Sequence, residues 1–277
     1  MVELNKLVQF DLSLVVDGVG IDVSGMHRPG DGDPIVFLHG FGSTKEDYAD
    51  VIQQAQLSDR PVLAYDAPGF GRSSCEHPDR LSIPFLVSTA LAVLDSQGID
   101  IFHAVGHSMG GLTLLMLASD HPGRMLSFVD IEGNLAPEDC FLSRQIVEGN
   151  SDPAAFLEEF IARAWNSRFY SSALYSASLE YKVRSSSVRG IFESMVDLSD
   201  HADLMSRFLG LQIPTMFMFG TQNSGLSYLR HLSINGVELA EIPLSGHFPM
   251  YSNPTEMWRR ITDFVTTWSV GRTRGLA

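Results

Sequence analysis

Cysteine is nearly absent from this sequence. Cys75 and Cys140 are the only two in 277 residues. Two thiols make no disulfide framework, so the fold must rest on its apolar core, and a reducing compartment is expected. Basic residues are scarce too: 19 Lys and Arg face 33 Asp and Glu, a formal net charge of −14. So acidic a surface repels phosphate backbones and anionic lipid, which argues against nucleic-acid and membrane-surface partners and favours solubility. Long apolar runs are missing. The most apolar stretch, Leu81 to Leu94, is broken by Ser82, Pro84, Ser88 and Thr89, and it falls short of the ~20 residues that span a bilayer. It reads as an amphipathic helix. The N-terminal Met1-Val2-Glu3-Leu4-Asn5-Lys6 has neither the basic start nor the apolar run of a signal peptide. A cytoplasmic protein is the expectation. No His, Cys and carboxylate cluster has zinc-ligand spacing. Phosphate-binding loops of the G-x-x-x-x-G-K-[ST] and strand-G-x-G-x-x-G-helix types are also lacking. No metal and no cofactor are expected.

What is present alternates. Residues 7 to 24 form two loosely alternating apolar segments divided by Asp17-Gly18, a hairpin signal. A short continuous apolar run follows at Ile35-Val36-Phe37-Leu38, then a run at Pro61-Val62-Leu63-Ala64-Tyr65 and strand patterns at Ile101 to Gly106 and Met125 to Ile131. Such runs suit strands buried on both faces of a parallel sheet. Helical patterns at about 82–96 and Met109 to Ser119 lie between them. Strands alternating with helices predict a mostly parallel central sheet with helices on both faces. The rhythm then breaks. From about Ala136 to Gly210 every apolar pattern is helical, with Asp152-Pro153 and Ser185-Ser186-Ser187 as helix starts. A helical cap inserted at residues 135–210, within a core of residues 1–134 and 211–277, is the expected organisation. The α/β pattern resumes at Pro214 to Gly220, with a strand near Val237 to Ile242 and a helix from about Thr255 to Trp268. A frayed tail is expected at 271–275.

The sharpest local signal is Gly106-His107-Ser108-Met109-Gly110-Gly111. It fits G-x-S-x-G between a buried strand and a helix, the context that pattern requires. A serine on so tight a turn has strained backbone angles, and its near neighbours must be glycine. The turn lifts the hydroxyl above the sheet, and the helix that starts there aims free N–H groups at it. Ser108 is therefore the candidate nucleophile.

Four segments in order, His39-Gly40-Phe41-Gly42, Asp66-Ala67-Pro68-Gly69-Phe70-Gly71-Arg72-Ser73, Gly106 to Gly111 and Ser245-Gly246-His247-Phe248-Pro249, resemble the α/β-hydrolase superfamily. The resemblance covers nearly all of the chain outside the cap. It implies the α/β-hydrolase fold, Ser108 as nucleophile and His247 as base. It also implies an oxyanion hole made by the backbone N–H groups of Phe41 and Met109. His39 reads as a loop-holding residue, His103 as a satisfied core residue, and the side chain of His107 as pointing away from the serine.

The acid departs from the commonest family pattern. Where many relatives carry a carboxylate after the next-to-last strand, this chain has Gly220-Thr221-Gln222-Asn223-Ser224, and no Asp or Glu occurs between Asp203 and Glu238. Some relatives place the acid after the sixth core strand, just before the cap, as haloalkane dehalogenases and zearalenone-lactone hydrolases do. Here that stretch is Val129-Asp130-Ile131-Glu132-Gly133-Asn134. Glu132 is the first choice, by its place at the strand end and its reach. Asp130 and Asn223 remain alternatives.

The chemistry expected is a serine hydrolase that cleaves a small to medium carboxylic ester or lactone through an acyl-enzyme. Amide, thioester or carbon–carbon bond cleavage would use the same parts. A ligand receptor or a cofactor-free oxygenase on the same scaffold are the readings from other classes. Trp165, Phe248 and Met250 are the expected pocket residues, with Phe41 and Met109 also beside the catalytic positions. The partner is a small-molecule substrate, and a homodimer stays open.

Overall fold

The computed structural model describes residues 6–149 and 152–269. The tail at 271–275 lies outside them. Strands β1 (Val8–Val16) and β2 (Val19–Arg28) pair antiparallel. Asp17 and Gly18 join them at φ of 49° and 79°, the left-handed pair that a two-residue hairpin with the strands' own twist requires. The chain continues through β3 (Ile35–Leu38), β4 (Val62–Tyr65), a two-residue β5 (Ser74–Cys75), α1 (Ile83–Ser96), β6 (Phe102–His107), α2 (Met109–Asp120) and β7 (Met125–Ile131). Helices α3 (Ser143–Gly149), α4 (Pro153–Trp165), α5 (Ser172–Lys182), α6 (Val188–His201) and α7 (Leu204–Leu209) follow. The chain then returns through β8 (Thr215–Gly220), α8 (Leu229–Ile234), β9 (Glu238–Ile242), α9 (Pro249–Ser252) and α10 (Pro254–Ser269).

The sheet runs in the order β1-β2-β4-β3-β6-β7-β8-β9, with β5 beside β2. From β4 to β9 every pairing is parallel. Its central strands are buried on both faces, and successive residues feed opposite layers. Val36 and Leu38 join Leu112 and Leu115 of α2 in one core. Ile35 and Phe37 join Trp258 and Ile261 of α10 in the other. This is the period-2 geometry of a strand with no solvent face. Helix α10 buries Met257, Trp258, Ile261, Phe264 and Val265, a single stripe at helical spacing.

Between β7 and β8 the described elements are helices, joined by turns, with one bridge pairing of Val183 with Phe70. Helix α4 starts where its sequence directs. Asp152 caps the amides of Ala154 (3.0 Å) and Ala155 (3.1 Å), and Pro153 takes the first helical position. The segment is tied to the core at several points. Gly71 N–H donates to the Lys182 carbonyl (2.8 Å), and Arg184 N–H donates to that of Gly69 (3.1 Å). The amide of Ile83, at the start of α1, donates to Ser194 Oγ on α6 (2.8 Å).

Candidate active site

Ser108 sits between β6 and α2 with φ 51° and ψ −117°. That conformation costs a non-glycine residue on the order of 1–3 kcal/mol. The surroundings enforce it. Ser108 N–H donates to the Ile131 carbonyl of β7 (2.9 Å), while its own carbonyl accepts from Leu112 in the first turn of α2 (3.0 Å). A Cβ on Gly110 would collide with the Leu38 carbonyl, so only glycine lets α2 approach the sheet this closely. The result is a partly exposed Ser108 between buried His107 and Met109.

His247 lies on the loop after β9. Its Nδ1 stands 2.8 Å from Oε2 of Glu132. Glu132 leaves the end of β7 (the sixth core strand when the short β5 is set aside) at φ 48°, and its side chain is only 6% exposed. Every contact it makes is with a donor. Oε1 accepts from Gly220 N–H (2.8 Å), and Oε2 accepts from Asn223 Nδ2 (2.6 Å) as well as from His247. Three donors on two oxygens suit an ionised carboxylate. They also fix the His247 proton on Nδ1, which leaves Nε2 as the basic nitrogen.

Asp130, the sequence alternative, is not brought to His247. Its Oδ1 accepts from Gly133 N–H (2.9 Å) beneath α2, and its Oδ2 has no partner among the described residues. Burial pushes its carboxyl well above the usual range, toward the neutral form. The physical reason is depth: Asp130 lies within β7, whereas Glu132 has cleared its end. Asn223 reaches the site as a donor to Glu132 and not as a third member. Sequence spacing gave no hint of that contact, because the two residues are 91 positions apart.

The histidines near the serine have separate tasks. His107 Nε2 donates to the backbone carbonyl of His247 (2.8 Å), and the two rings lie 4.9 Å apart. Burial drives its pKa well down, so it is a neutral prop under the His247 loop. His39, also neutral through burial, donates from Nδ1 to the Gly40 carbonyl (2.8 Å) and accepts at Nε2 from Ala67 N–H (2.9 Å). His103 bonds Ser127 (2.8 Å) and Ser269 (2.9 Å), and desolvation lowers its pKa to about 4.

Among the described residues, the amides of Phe41 and Met109 have no hydrogen-bond acceptor. Met109 N–H opens α2, where the helix leaves its first donors free. A cavity of about 500 Å³ takes in Ser108, Glu132 and His247 on one side and Phe160, Tyr175 and Phe192 of the helical segment on the other. Phe41 and Phe248 line it too.

Three expected wall residues lie elsewhere. Trp165 is 57% exposed: α4 turns Phe160, Arg163 and Ala164 to the cavity, and the residue after Ala164 is rotated about 100° away from it. Met250 packs with Trp258 and Ile131 in the core on the α10 side of the sheet, because α9 carries it there. Met109 is buried and lines a separate small gap with Leu38 and Leu86.

Comparison with known proteins gives the family. Residues 35–260 match the model of the alpha/beta hydrolase family. A putative carbamate hydrolase, RutD, of Caulobacter vibrioides is 33% identical over 148 residues, 51% of this chain and 54% of that protein. The chain thus spans about half the length of the RutD relatives it matches. A pimeloyl-[acyl-carrier protein] methyl ester esterase of Aeromonas hydrophila is 26% identical over 87% of this chain and 98% of its own. Among solved structures, the N-acyl homoserine lactonase AidH, complexed with N-hexanoyl homoserine, superposes with a TM-score of 0.72 at 17% identity, covering 96% of this chain and 98% of its own. An esterase of Thermogutta terrifontis gives 0.71 at 18% identity, covering 94% and 99%. With the family model matched over most of its length, the chain belongs to the alpha/beta hydrolase family.

Proposed function

We propose that the protein is a serine hydrolase that cleaves a small to medium carboxylic ester or lactone through an acyl-enzyme. The observation that carries this reading is the 2.8 Å contact of His247 Nδ1 with Glu132 Oε2, in the cavity that the strained Ser108 also lines. Ser108 Oγ attacks the carbonyl carbon while His247 Nε2 takes its proton. The oxyanion is held by the Phe41 and Met109 amides. His247 returns the proton to the leaving alkoxide, and Glu132 stabilises the imidazolium in between. Water, activated by the same nitrogen, then frees the acid and restores Ser108.

Residues 135–210 act in this reading as a cap over a core of 1–134 and 211–277. Its aromatic side chains give the cavity an apolar wall suited to an acyl chain or ring. Relatives named as a methyl ester esterase and a lactonase favour ester chemistry. The substrate is a small molecule met in the cytoplasm by an acidic, soluble protein.

The test is hydrolysis of activated esters from acetyl to octanoyl by the wild type and by Ser108→Ala. Turnover that disappears in the variant is expected, and the best chain length sizes the cavity. Turnover that survives Ser108→Ala, or a wild type that neither turns over nor takes a serine-reactive phosphonate on Ser108, would overturn the reading.

A further inference from the structure

We infer that Tyr175, on α5 of the helical segment, is a positioning residue for the oxyanion-binding amide of Phe41. The inference rests on the serine hydrolase reading above and goes beyond it, because it makes the core's catalytic geometry depend on the inserted helices.

Phe41 lies between two peptide planes, and each is held from a different side. In the Gly40–Phe41 plane, the Gly40 carbonyl accepts from His39 Nδ1 (2.8 Å) and from Ser43 N–H (3.1 Å). A trans peptide sets its N–H opposite its carbonyl, so these bonds aim the Phe41 amide away from the buried loop. In the Phe41–Gly42 plane, the Phe41 carbonyl accepts from the Tyr175 hydroxyl (2.8 Å), 134 positions away. With both planes anchored, the torsions of Phe41 are set. Without the second anchor, one plane is free to rock, and the first carries the amide with it.

The loop is shaped around this tyrosine. Gly42 has φ +76°, and a Cβ there would collide with the Tyr175 hydroxyl and with Leu179 one turn further along α5. The Tyr175 ring is 2% exposed and stacks on Phe248, centroids 4.0 Å apart. Phe248 follows His247, so one side chain touches the loop of the oxyanion amide and the loop of the base. Burial holds the hydroxyl well above the ordinary phenol range, so it remains a donor at any working pH.

Lys182, two turns along the same helix face, makes a separate anchor. Its Nζ reaches Tyr251 Oη (2.9 Å) and Asp47 Oδ1 (3.3 Å), and Tyr251 in turn donates to Asp47 Oδ2 (2.8 Å). This anchor fixes α5 without touching Phe41. It therefore separates loss of the hydrogen bond from loosening of the helix.

Tyr175→Phe removes one oxygen and keeps the stack. Loss of a whole oxyanion donor costs ~10²–10³ in kcat, and misaiming one is expected to cost roughly 10-fold. The experiment measures kcat and KM on the best activated ester for wild type, Tyr175→Phe and Lys182→Met. It also measures inhibition by a trifluoromethyl ketone of matching chain length. Ser108 Oγ adds to the ketone carbonyl, the serine proton passes to His247, and the adduct leaves an oxyanion for the same amides.

In Tyr175→Phe, kcat and ketone affinity should fall together by roughly 10-fold, with KM and the pH profile of kcat at wild-type values. Lys182→Met should match the wild type in all of these. Wild-type kcat and ketone affinity in Tyr175→Phe overturn the proposal. So does an equal loss in Lys182→Met, or a loss in Tyr175→Phe that falls on KM and the thermal midpoint as much as on kcat. If Ser108→Ala abolishes turnover while Tyr175→Phe keeps the wild-type kcat and ketone affinity, only the positioning role fails. If turnover survives Ser108→Ala, the hydrolase mechanism itself fails.

Discussion

Replacing Glu132 by glutamine changes one atom and should disable the site. Both carboxylate oxygens face donors only: Gly220 N–H on Oε1, and Asn223 Nδ2 and His247 Nδ1 on Oε2. A glutamine that keeps its oxygen on the buried Gly220 amide puts its NH2 against the other two. His247 escapes this clash by moving its proton to Nε2, so that Nδ1 accepts. In that tautomer the ring cannot take the serine proton. An amide for a carboxylate at a triad of this kind costs roughly 10⁴ in kcat, about 5 kcal/mol at 1.36 kcal/mol per decade. The assay is kcat/KM on the best activated ester between pH 5 and 10, with the thermal midpoint as a check on folding. Asp130→Asn is the companion variant. The Asp130 carboxyl is already pushed toward neutrality by burial, so the amide is nearly isosteric with it and turnover should stay within roughly twofold. A folded Glu132→Gln with less than a tenfold loss, or an Asp130→Asn that loses as much, would refute the assignment of Glu132 as the acid.

Other outcomes follow from single contacts. Asn223→Ala removes one of the three donors on Glu132; kcat should drop by roughly 3- to 10-fold, and an unchanged kcat would show that the 2.6 Å bond does not hold the acid. Phe160→Ala opens the cavity wall on α4 and should move the preferred acyl chain to greater length, whereas Trp165→Ala, outside the cavity, should leave the preference in place; the reverse pattern across the acetyl to octanoyl series would contradict the wall as drawn. His103 is held neutral, with its pKa lowered to about 4 by desolvation, against about 6.5 in the unfolded chain. Between those values the unfolded state binds the extra proton, so this group's contribution is complete above pH 6.5 and disappears as pH falls toward 4, an effect of up to about 3 kcal/mol. In denaturant unfolding, the gap between wild type and His103→Gln should narrow over that range; a gap independent of pH would show that His103 does not drive it.

The sequence determined the sheet and the sharp turn that carries Ser108 because both are local. Ile35 to Leu38 is apolar at every position, which suits a strand buried on both faces. The glycines around Ser108 dictate their turn whatever lies nearby, and Asp17-Gly18 does the same for the hairpin. The place of Glu132 at a strand end is also legible in the sequence, and the structure brings it to 2.8 Å from His247. The rest needed the tertiary structure, because it depends on side chains that approach from distant parts of the chain. Nothing near Asn223 in sequence says that its amide meets Glu132, and nothing near Tyr175 says that its hydroxyl meets the Phe41 carbonyl. Trp165 lies outside the cavity for the same reason. Periodicity shows that α4 has an apolar face, but the rotation of the helix against the core decides that Phe160 meets the cavity and Trp165 meets solvent. Backbone conformation is set within a few residues and can be read from them. The aim of a catalytic group is set by packing between segments, and that is decided only when the chain has folded.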